Sequence, residues 1–120
     1  MVLIHHKGKR ISIPAKKVSL FSTGLIFRTK KTENIMFENL PEGNFALTSY
    51  FVFFPFLVLW LNNGKKVVDF RIARPFELSM KTNKKAHSLL EIPINKKNKK
   101  IIEFFVGKEK FKNKNPLVKA

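Results

Sequence analysis

The feature that most limits how this chain can fold is an uncharged run over residues 45–61, with the sequence FALTSYFVFFPFLVLWL. Its 17 residues reach the lower end of what a transmembrane helix needs, about 17–25 residues. Pro55 lies in the most apolar part, where it would remove a helical hydrogen bond and kink a helix. The Phe, Val, Tyr and Trp residues of the run also prefer strands to helices. We therefore expect two successive buried strands that meet near Pro55, and no transmembrane span.

The residues that follow this run predict a β-hairpin. Asn63 and Gly64 both tolerate positive φ, so the pair is typical of a two-residue turn. Such a turn would place Leu57 opposite Phe70. One face of the hairpin would then be apolar: Leu57, Leu59, Val68, Phe70 and Ile72. The other face would be mixed: Phe56, Val58, Trp60, Val67, Asp69 and Arg71. Since strand 55–61 is apolar on both faces, another sheet layer, a helix or a protein partner must cover the second one.

Shorter signals complete the expected domain. A first hairpin is expected over 2–13 with its turn at Lys7-Gly8-Lys9, and further strands are expected at 35–37 and 87–93. Residues 15–23 are expected to form a short helix that Gly24 closes. The basic tail 112–120 is expected to fray. The chain thus predicts one mainly β domain over 1–111, at the margin of α+β, built as a β-sandwich or barrel with one or two short helices.

Positive charge dominates the composition, with a net charge of +16 from 24 Lys and Arg. It is unevenly placed, since no Lys or Arg lies between Thr32 and Gly64. One explanation is non-specific, salt-sensitive attraction to nucleic acid. The other is biased composition, because 20 of these residues are Lys and nucleic-acid recognition favours Arg. A contiguous basic stripe on the fold would favour the first explanation, and an even spread the second.

The sequence contains no recognisable assembled catalytic site. Without cysteine there is no thiol catalysis, disulfide or Cys-ligated zinc, and the composition is compatible with a cytoplasmic location. His5 and His6 are adjacent on an expected strand, so they point to opposite faces and cannot easily share a metal. The five glycines are scattered and form no phosphate-binding loop. We therefore expect no metal, no cofactor and no enzymatic activity.

The mixed hairpin face offers one candidate surface for a partner. Phe56 and Trp60 with Arg71 could stack on the bases of single-stranded nucleic acid. The competing interpretation is that these aromatic residues belong to the core, since strand 55–61 carries no basic residue of its own.

An ordered set of short segments resembles the uncharacterised family known as domain of unknown function number 192 (uncharacterised protein family 0127), in particular its archaeal branch. The segments are Gly24-Leu25-Ile26-Phe27-Arg28, Phe53-Phe54-Pro55, Val58-Leu59-Trp60-Leu61 followed by Gly64, Lys66-Val67-Val68-Asp69-Phe70, Ala73-Arg74-Pro75-Phe76, Leu90-Glu91-Ile92-Pro93 and Val106-Gly107. The resemblance covers about residues 15–111 and implies a compact β sandwich or barrel with one or two short helices. It implies no activity.

The chain departs from the family pattern at polar positions. Leu57 and Lys108 stand where the family usually has Asp, and Thr48 stands where His or Lys is common. The matched polar residues that remain are Arg28, Asp69, Arg74 and Glu91, and the mixed hairpin face adds Arg71. These side chains could brace the fold, or they could line a cleft for a small ligand or substrate. The main expectation is a non-enzymatic binding module with an unknown partner, and the alternative is that cleft.

Overall fold

The computed structural model describes residues 1–18, 33–38, 40, 54–74 and 82–107. These residues form, in chain order, β1 (Val2–His6), β2 (Lys9–Ile13), β3 (Lys16–Val18), β4 (Ile35–Phe37), β5 (Phe56–Leu61), β6 (Val67–Ala73), β7 (Ser88–Pro93), a 3-10 turn (Lys96–Asn98) and α1 (Lys99–Val106). β1 and β2 make a two-stranded sheet, and the other strands make a five-stranded sheet in the order β3-β4-β7-β5-β6. The chain is therefore mainly β with one short helix among the described residues, as the sequence predicts.

β5 is an interior strand of the larger sheet, next to its β6 edge. It lies between β6 and β7, is antiparallel to both, and all of its residues are buried. Leu57, Leu59 and Leu61 pack into a cluster on the first face of the sheet. Phe56, Val58 and Trp60 pack into a separate cluster on the second face. A buried strand is thus confirmed for this half of the uncharged run, while residues 45–53 lie outside the described part of the chain.

The apolar residues of β5 form a strand and not a membrane helix. Within the described ranges, no helix is both long enough and apolar enough to cross a bilayer.

The small hairpin and the helix cover the first face of the central sheet. Val2, Ile4 and Ile13 from the hairpin join Ile102 and Phe105 from α1 in the same buried cluster as the leucines of β5. The helix is amphipathic, because Ile102 and Phe105 are buried while the lysines at its start are exposed. Asn95 caps the preceding 3-10 turn by accepting a hydrogen bond from the Asn98 N–H. The four lysines of the basic run 96–100 are therefore solvent-facing residues of the 3-10 turn and of the start of α1.

The β5–β6 turn differs from the predicted two-residue turn. The Lys65 N–H donates to the Asn62 carbonyl at 3.0 Å, and the side-chain oxygen of Asn62 accepts from the N–H groups of Gly64 and Lys66. Lys65, rather than Gly64, takes a positive φ of 64°. The Asn62 side chain satisfies two turn N–H groups at once, which favours this longer turn over one centred on Asn63 and Gly64.

The longer turn changes the predicted register but few of the predicted faces. Leu57 lies opposite Ile72 instead of Phe70, a shift of two residues. Because side chains alternate with a period of two, such a shift keeps each residue on its predicted face. The exceptions follow from an irregularity between Trp60 and Leu61. Val67 packs on the first face and Val68 on the second, the reverse of the prediction.

The first hairpin is confirmed with a slightly tighter turn. Lys7 and Gly8 have φ values of 50° and 76° and are the two turn residues, since Lys9 already pairs with His6. Positive φ at both positions is typical of a tight hairpin turn.

The predicted helix over 15–23 is wrong at its start. Lys16–Val18 forms β3, which runs parallel to β4, and the Lys16 N–H donates to the Asn34 carbonyl at 2.8 Å. A short apolar segment does not reveal its secondary structure by periodicity alone, and pairing with β4 decides it here. Gly24 and the basic tail lie outside the described residues.

Candidate functional site

Three of the polar residues selected from the sequence lie on the second face of the central sheet. Arg71 on β6 and Glu91 on β7 are both directly opposite Val58 of β5. Directly opposed residues share a sheet face, so Arg71 and Glu91 flank Val58 with their Cα atoms about 10 Å apart, two strand spacings. Asp69 lies two residues from Arg71 on the same strand and face. The structure therefore brings these three residues to one surface of the sheet.

The two remaining residues of the predicted cleft are placed differently. Arg74 follows the end of β6 and is exposed, whereas Glu91 is only 2% exposed. Arg28 lies outside the described residues. A ligand from solvent would reach Glu91 only through the residues that bury it.

Asp69 has a bracing role. One carboxylate oxygen accepts a hydrogen bond of 2.6 Å from the Thr82 hydroxyl, and the other accepts from the Phe70 N–H at 2.9 Å. The Thr82 oxygen accepts in turn from the Lys84 N–H at 3.0 Å. These contacts occupy both oxygens of Asp69 and fix the segment that leads into β7 against β6.

A pair of buried asparagines forms a polar cluster that the sequence did not reveal. The side-chain amides of Asn34 and Asn98 donate to each other's oxygens at 3.2 and 2.9 Å. Their remaining N–H groups donate to the carbonyls of Pro14 and Pro93 at 2.9 and 2.7 Å. All four amide hydrogens are used, so this pair ties the start of β4 to the 3-10 turn.

A cavity of about 340 Å³ borders the asparagine pair, and its lining also includes Glu33, Lys97 and Ile101. None of the three predicted cleft residues on the described part of the chain lines it. The cavity is therefore separate from the second face of the sheet.

Glu38 joins the edge strand β3 to the β5–β6 turn. Its two carboxylate oxygens lie 3.4 Å from the Lys17 ammonium and 3.2 Å from the Lys65 ammonium. The hydrogen bond from Lys65, helped by the charges of both lysines, lowers the pKa of Glu38. This acid therefore stays ionised and neutralises part of the charge at this edge.

Among the described residues, the basic side chains are mostly exposed and the acidic ones are mostly buried or half-buried. Of the 15 described Lys and Arg residues, 14 are exposed, and Lys65 is half-buried. Of the five described acids, Glu33 alone is exposed. The exposed cations lie on the first hairpin, on both edge strands of the larger sheet, in the segments that flank β6 and precede β7, and at the start of α1. This spread is what biased composition predicts, and it leaves a positive surface on several sides.

Of the two interpretations of the mixed hairpin face, the structure supports the core and not the stacking surface. Phe56 and Trp60 are 0% and 2% exposed, so neither ring can receive a base. The burial of every β5 residue within the chain itself also removes the expected apolar surface for a protein partner. Packing on both faces of a five-stranded sheet, rather than a partner, satisfies this strand.

A different group of rings, which we call the His6 cluster, lies where the hairpin, β6 and α1 meet. The His6 ring centroid is 4.9 Å from that of Phe105, 5.7 Å from Phe104 and 5.8 Å from Phe70. Phe105 is buried, while the other three rings are half-buried. The Lys9 ammonium lies 5.9 Å from the Phe104 centroid. Burial, with a smaller effect of the Lys7 charge, lowers the pKa of His6.

The sequence held a partial signal for this cluster. His6 shares the inner face of its strand with Val2 and Ile4, and the Phe104-Phe105 pair ends an apolar segment. The sequence did not show that this apolar segment would pack against the hairpin.

Comparisons with known proteins support the fold and leave the function open. No family model matches the chain, and no curated protein matches it. The chain is similar to the crystal structure, at 1.22 Å resolution, of a protein of unknown function from Novosphingobium aromaticivorans DSM 12444. The TM-score is 0.60 and the identity 17%, with 76% of this chain and 69% of that chain covered. The similarity is one of fold.

Proposed function

We propose that this protein is a non-enzymatic binding module for polyanions, with nucleic acid as the partner class. The observation that supports it is the sorting of charge by depth, with 14 exposed cations and one exposed acid among the described residues. Such a surface attracts phosphate backbones and gains affinity by releasing their counterions. Because the cations are spread over several sides and not gathered in one stripe, biased composition explains their origin, and only a non-specific, salt-sensitive attraction is proposed.

Salt dependence of binding tests this function. Fluorescence anisotropy with labelled RNA or DNA should show binding at 50 mM salt that weakens by roughly 10-fold or more at 200 mM, since even a few phosphate contacts give a steep dependence. Polyglutamate serves as a comparison polyanion without bases or phosphates. Absence of binding to any nucleic acid at 50 mM salt would overturn the proposal.

We also infer that the chain belongs to domain of unknown function family number 192. The ordered segments from Gly24 to Gly107 support this inference, and the mainly β fold agrees with the architecture that they imply. Superposition on a solved member of the family is the test. The family's counterpart of Val58-Leu59-Trp60-Leu61 should occupy the strand between the counterparts of β6 and β7, and a different strand position would contradict membership.

A second candidate function is small-ligand binding or catalysis at the second face of the sheet. It is favoured by the placement of Asp69, Arg71 and Glu91 on one face of the sheet, while the burial of Glu91 counts against it. An experimental structure that places the guanidinium groups of Arg28 and Arg74 in a cleft with Glu91 would support this role. Guanidinium groups that point away from that face would exclude it.

A further inference from the structure

We propose that single-stranded nucleic acid binds at the His6 cluster, with a base stacked on Phe104 and the backbone held by Lys7, Lys9 and Lys66. This inference rests on the proposed polyanion-binding function and gives it a location. Charge alone does not locate a binding site here, because the exposed cations lie on several sides of the described fold. The aromatic rings of the His6 cluster supply the location that the spread of charge does not give.

Partly exposed rings beside cations are the arrangement that single-strand binding requires. Proteins that bind single strands combine a positive surface with aromatic side chains on which bases stack. Phe104 and His6 are half-buried, so packing against Phe105 holds both rings in place while part of each residue remains exposed. A ring that is already held in place loses little freedom when a base stacks on it.

The lysines reach this cluster from two turns. Lys7 adjoins His6, and Lys9 lies directly opposite it with its ammonium above the Phe104 ring. Lys66 comes from the β5–β6 turn, which meets the hairpin through a bridge to His5 and a hydrogen bond of 2.9 Å from the His5 N–H to the Lys65 carbonyl. The fold therefore places the Lys9 ammonium at the Phe104 ring and brings Lys7 and Lys66, both exposed, to the two adjoining turns.

The acids close to the cluster leave this charge largely uncompensated. Glu103 precedes Phe104 on α1 and offsets one of the three lysine charges. Asp69 precedes Phe70 but lies on the opposite face of the sheet, where it binds Thr82. Glu38 is engaged by Lys17 and Lys65. The net charge at the cluster thus complements a phosphate backbone.

The partial burial of the rings favours single-stranded over duplex nucleic acid as the partner. Bases within a duplex are stacked on one another and cannot cover an external ring without unstacking. The Phe70 and Phe104 rings are half-buried and do not project as wedges into a duplex or a bilayer. Unpaired bases, which can leave their neighbours and lie on an aromatic face, fit this surface.

Phe104 variants test the inference by anisotropy with a labelled thymidine oligonucleotide of about 12 nucleotides, within the usual site size. Phe104→Leu keeps apolar bulk and removes the aromatic face, and Phe104→Ala removes both. We expect either variant to weaken binding by roughly 5- to 100-fold, the range of one base–ring stack. Leu3→Ala is the matched control, because Leu3 is an exposed apolar residue on β1, 42% exposed, and should leave affinity unchanged.

A pair of charge variants separates local from general attraction. Lys9→Gln and Lys16→Gln each remove one exposed positive charge. Lys16 lies on β3, at the opposite edge of the sheet from the β6 strand that carries Phe70. We expect Lys9→Gln to cost at least 3-fold more affinity than Lys16→Gln. The single Trp60, buried on the second face of the sheet, reports by its fluorescence that each variant is folded.

The outcomes distinguish this inference from the proposed function. If wild type and Phe104→Leu bind equally, or if duplex binds as tightly as single strand, the site is wrong while the polyanion-binding function stands. If neither form binds at 50 mM salt, both fail. If Phe104→Leu abolishes binding to anionic phosphatidylserine vesicles but not to the oligonucleotide, the cluster is a membrane contact and the inference is overturned.

Discussion

His6 shows how one side chain can couple the fold to pH. Its ring packs against three phenylalanines from β6 and α1, an environment that favours the neutral imidazole. Burial lowers the pKa of His6 below its ordinary value of 6.5. The neutral ring therefore contributes stability that is complete above pH 6.5 and is lost as the pH falls through the lowered pKa of the folded state.

Urea denaturation at several pH values checks this coupling. We expect the wild-type free energy of unfolding to fall between about pH 7 and pH 5. His6→Phe keeps an aromatic ring and removes the titrating group, so it should flatten this part of the curve. His5→Phe makes the same change at the neighbouring residue and should not. Identical pH profiles for the His6 variant and wild type would contradict the coupling.

The hydrogen bonds of the buried Asn34–Asn98 pair make two side chains important for the stability of the fold. Asn98→Ala leaves an amide hydrogen and oxygen of Asn34 and the Pro93 carbonyl without their partner inside the protein. An unsatisfied buried polar group costs about 1–3 kcal/mol, so we expect a loss of at least about 2 kcal/mol in the free energy of unfolding. Asn63→Ala, at an exposed turn position, should change it by less than about 0.5 kcal/mol. Equal effects of the two substitutions would show that the pair is not a structural link.

The residue types in the hairpin turns affect the stability of the hairpins. Lys7 occupies a left-handed conformation, with φ of 50°, that a lysine adopts only at a cost. Lys7→Asn should therefore stabilise the first hairpin by roughly 0.5–1 kcal/mol, because Asn tolerates this region more readily. Thermal denaturation measures the gain, with Arg10→Asn on strand β2 as the control that should show none. A loss of stability in the Lys7 variant would mean that its lysine makes contacts that outweigh the backbone strain.

For the strands and turns, the sequence predicts some features and not others. Alternation of side chains assigned Leu57 and Leu59 to one face and Trp60 to the other, because that pattern depends on local geometry. The turn that sets the register depended on whether Asn62 or the Asn63-Gly64 pair would organise it, and the Asn62 side chain decided it. β3 and the His6 cluster depend on pairing and docking between distant segments, which no local pattern encodes.

The predicted site followed the same division. Hairpin alternation placed Asp69 and Arg71 together on one face, as found. It could not show that Asp69 would bind Thr82, or that Glu91 would be buried, since both depend on how the segment before β7 packs. The sequence left open whether Phe56 and Trp60 stack on bases or belong to the core, and the cover over both faces of β5 places them in the core.

For the whole molecule, the outward placement of cations predicts self-repulsion in the folded state. Screening should weaken this repulsion, because the Debye length falls to about 10 Å at 0.1 M salt. We expect the melting temperature to rise by a few °C between low salt and about 0.15 M NaCl, corresponding to on the order of 1 kcal/mol. A melting temperature that falls over this range would mean that attractive pairs such as Lys17–Glu38 outweigh the repulsion.

The position of β5 also sets the order in which the sheet can assemble. Its two neighbours differ in the length of chain to be closed: β6 follows after a short turn, whereas β7 begins 27 positions beyond the end of β5. Closing the short loop loses less chain entropy, so the β5–β6 pair is expected to form first and to serve as a template for β7. Substitutions at Asn62 should then slow refolding, whereas substitutions at Ile102 of α1 should mainly accelerate unfolding. The rate-limiting structure of this small protein would thus lie at a turn, remote from the helix that completes its core.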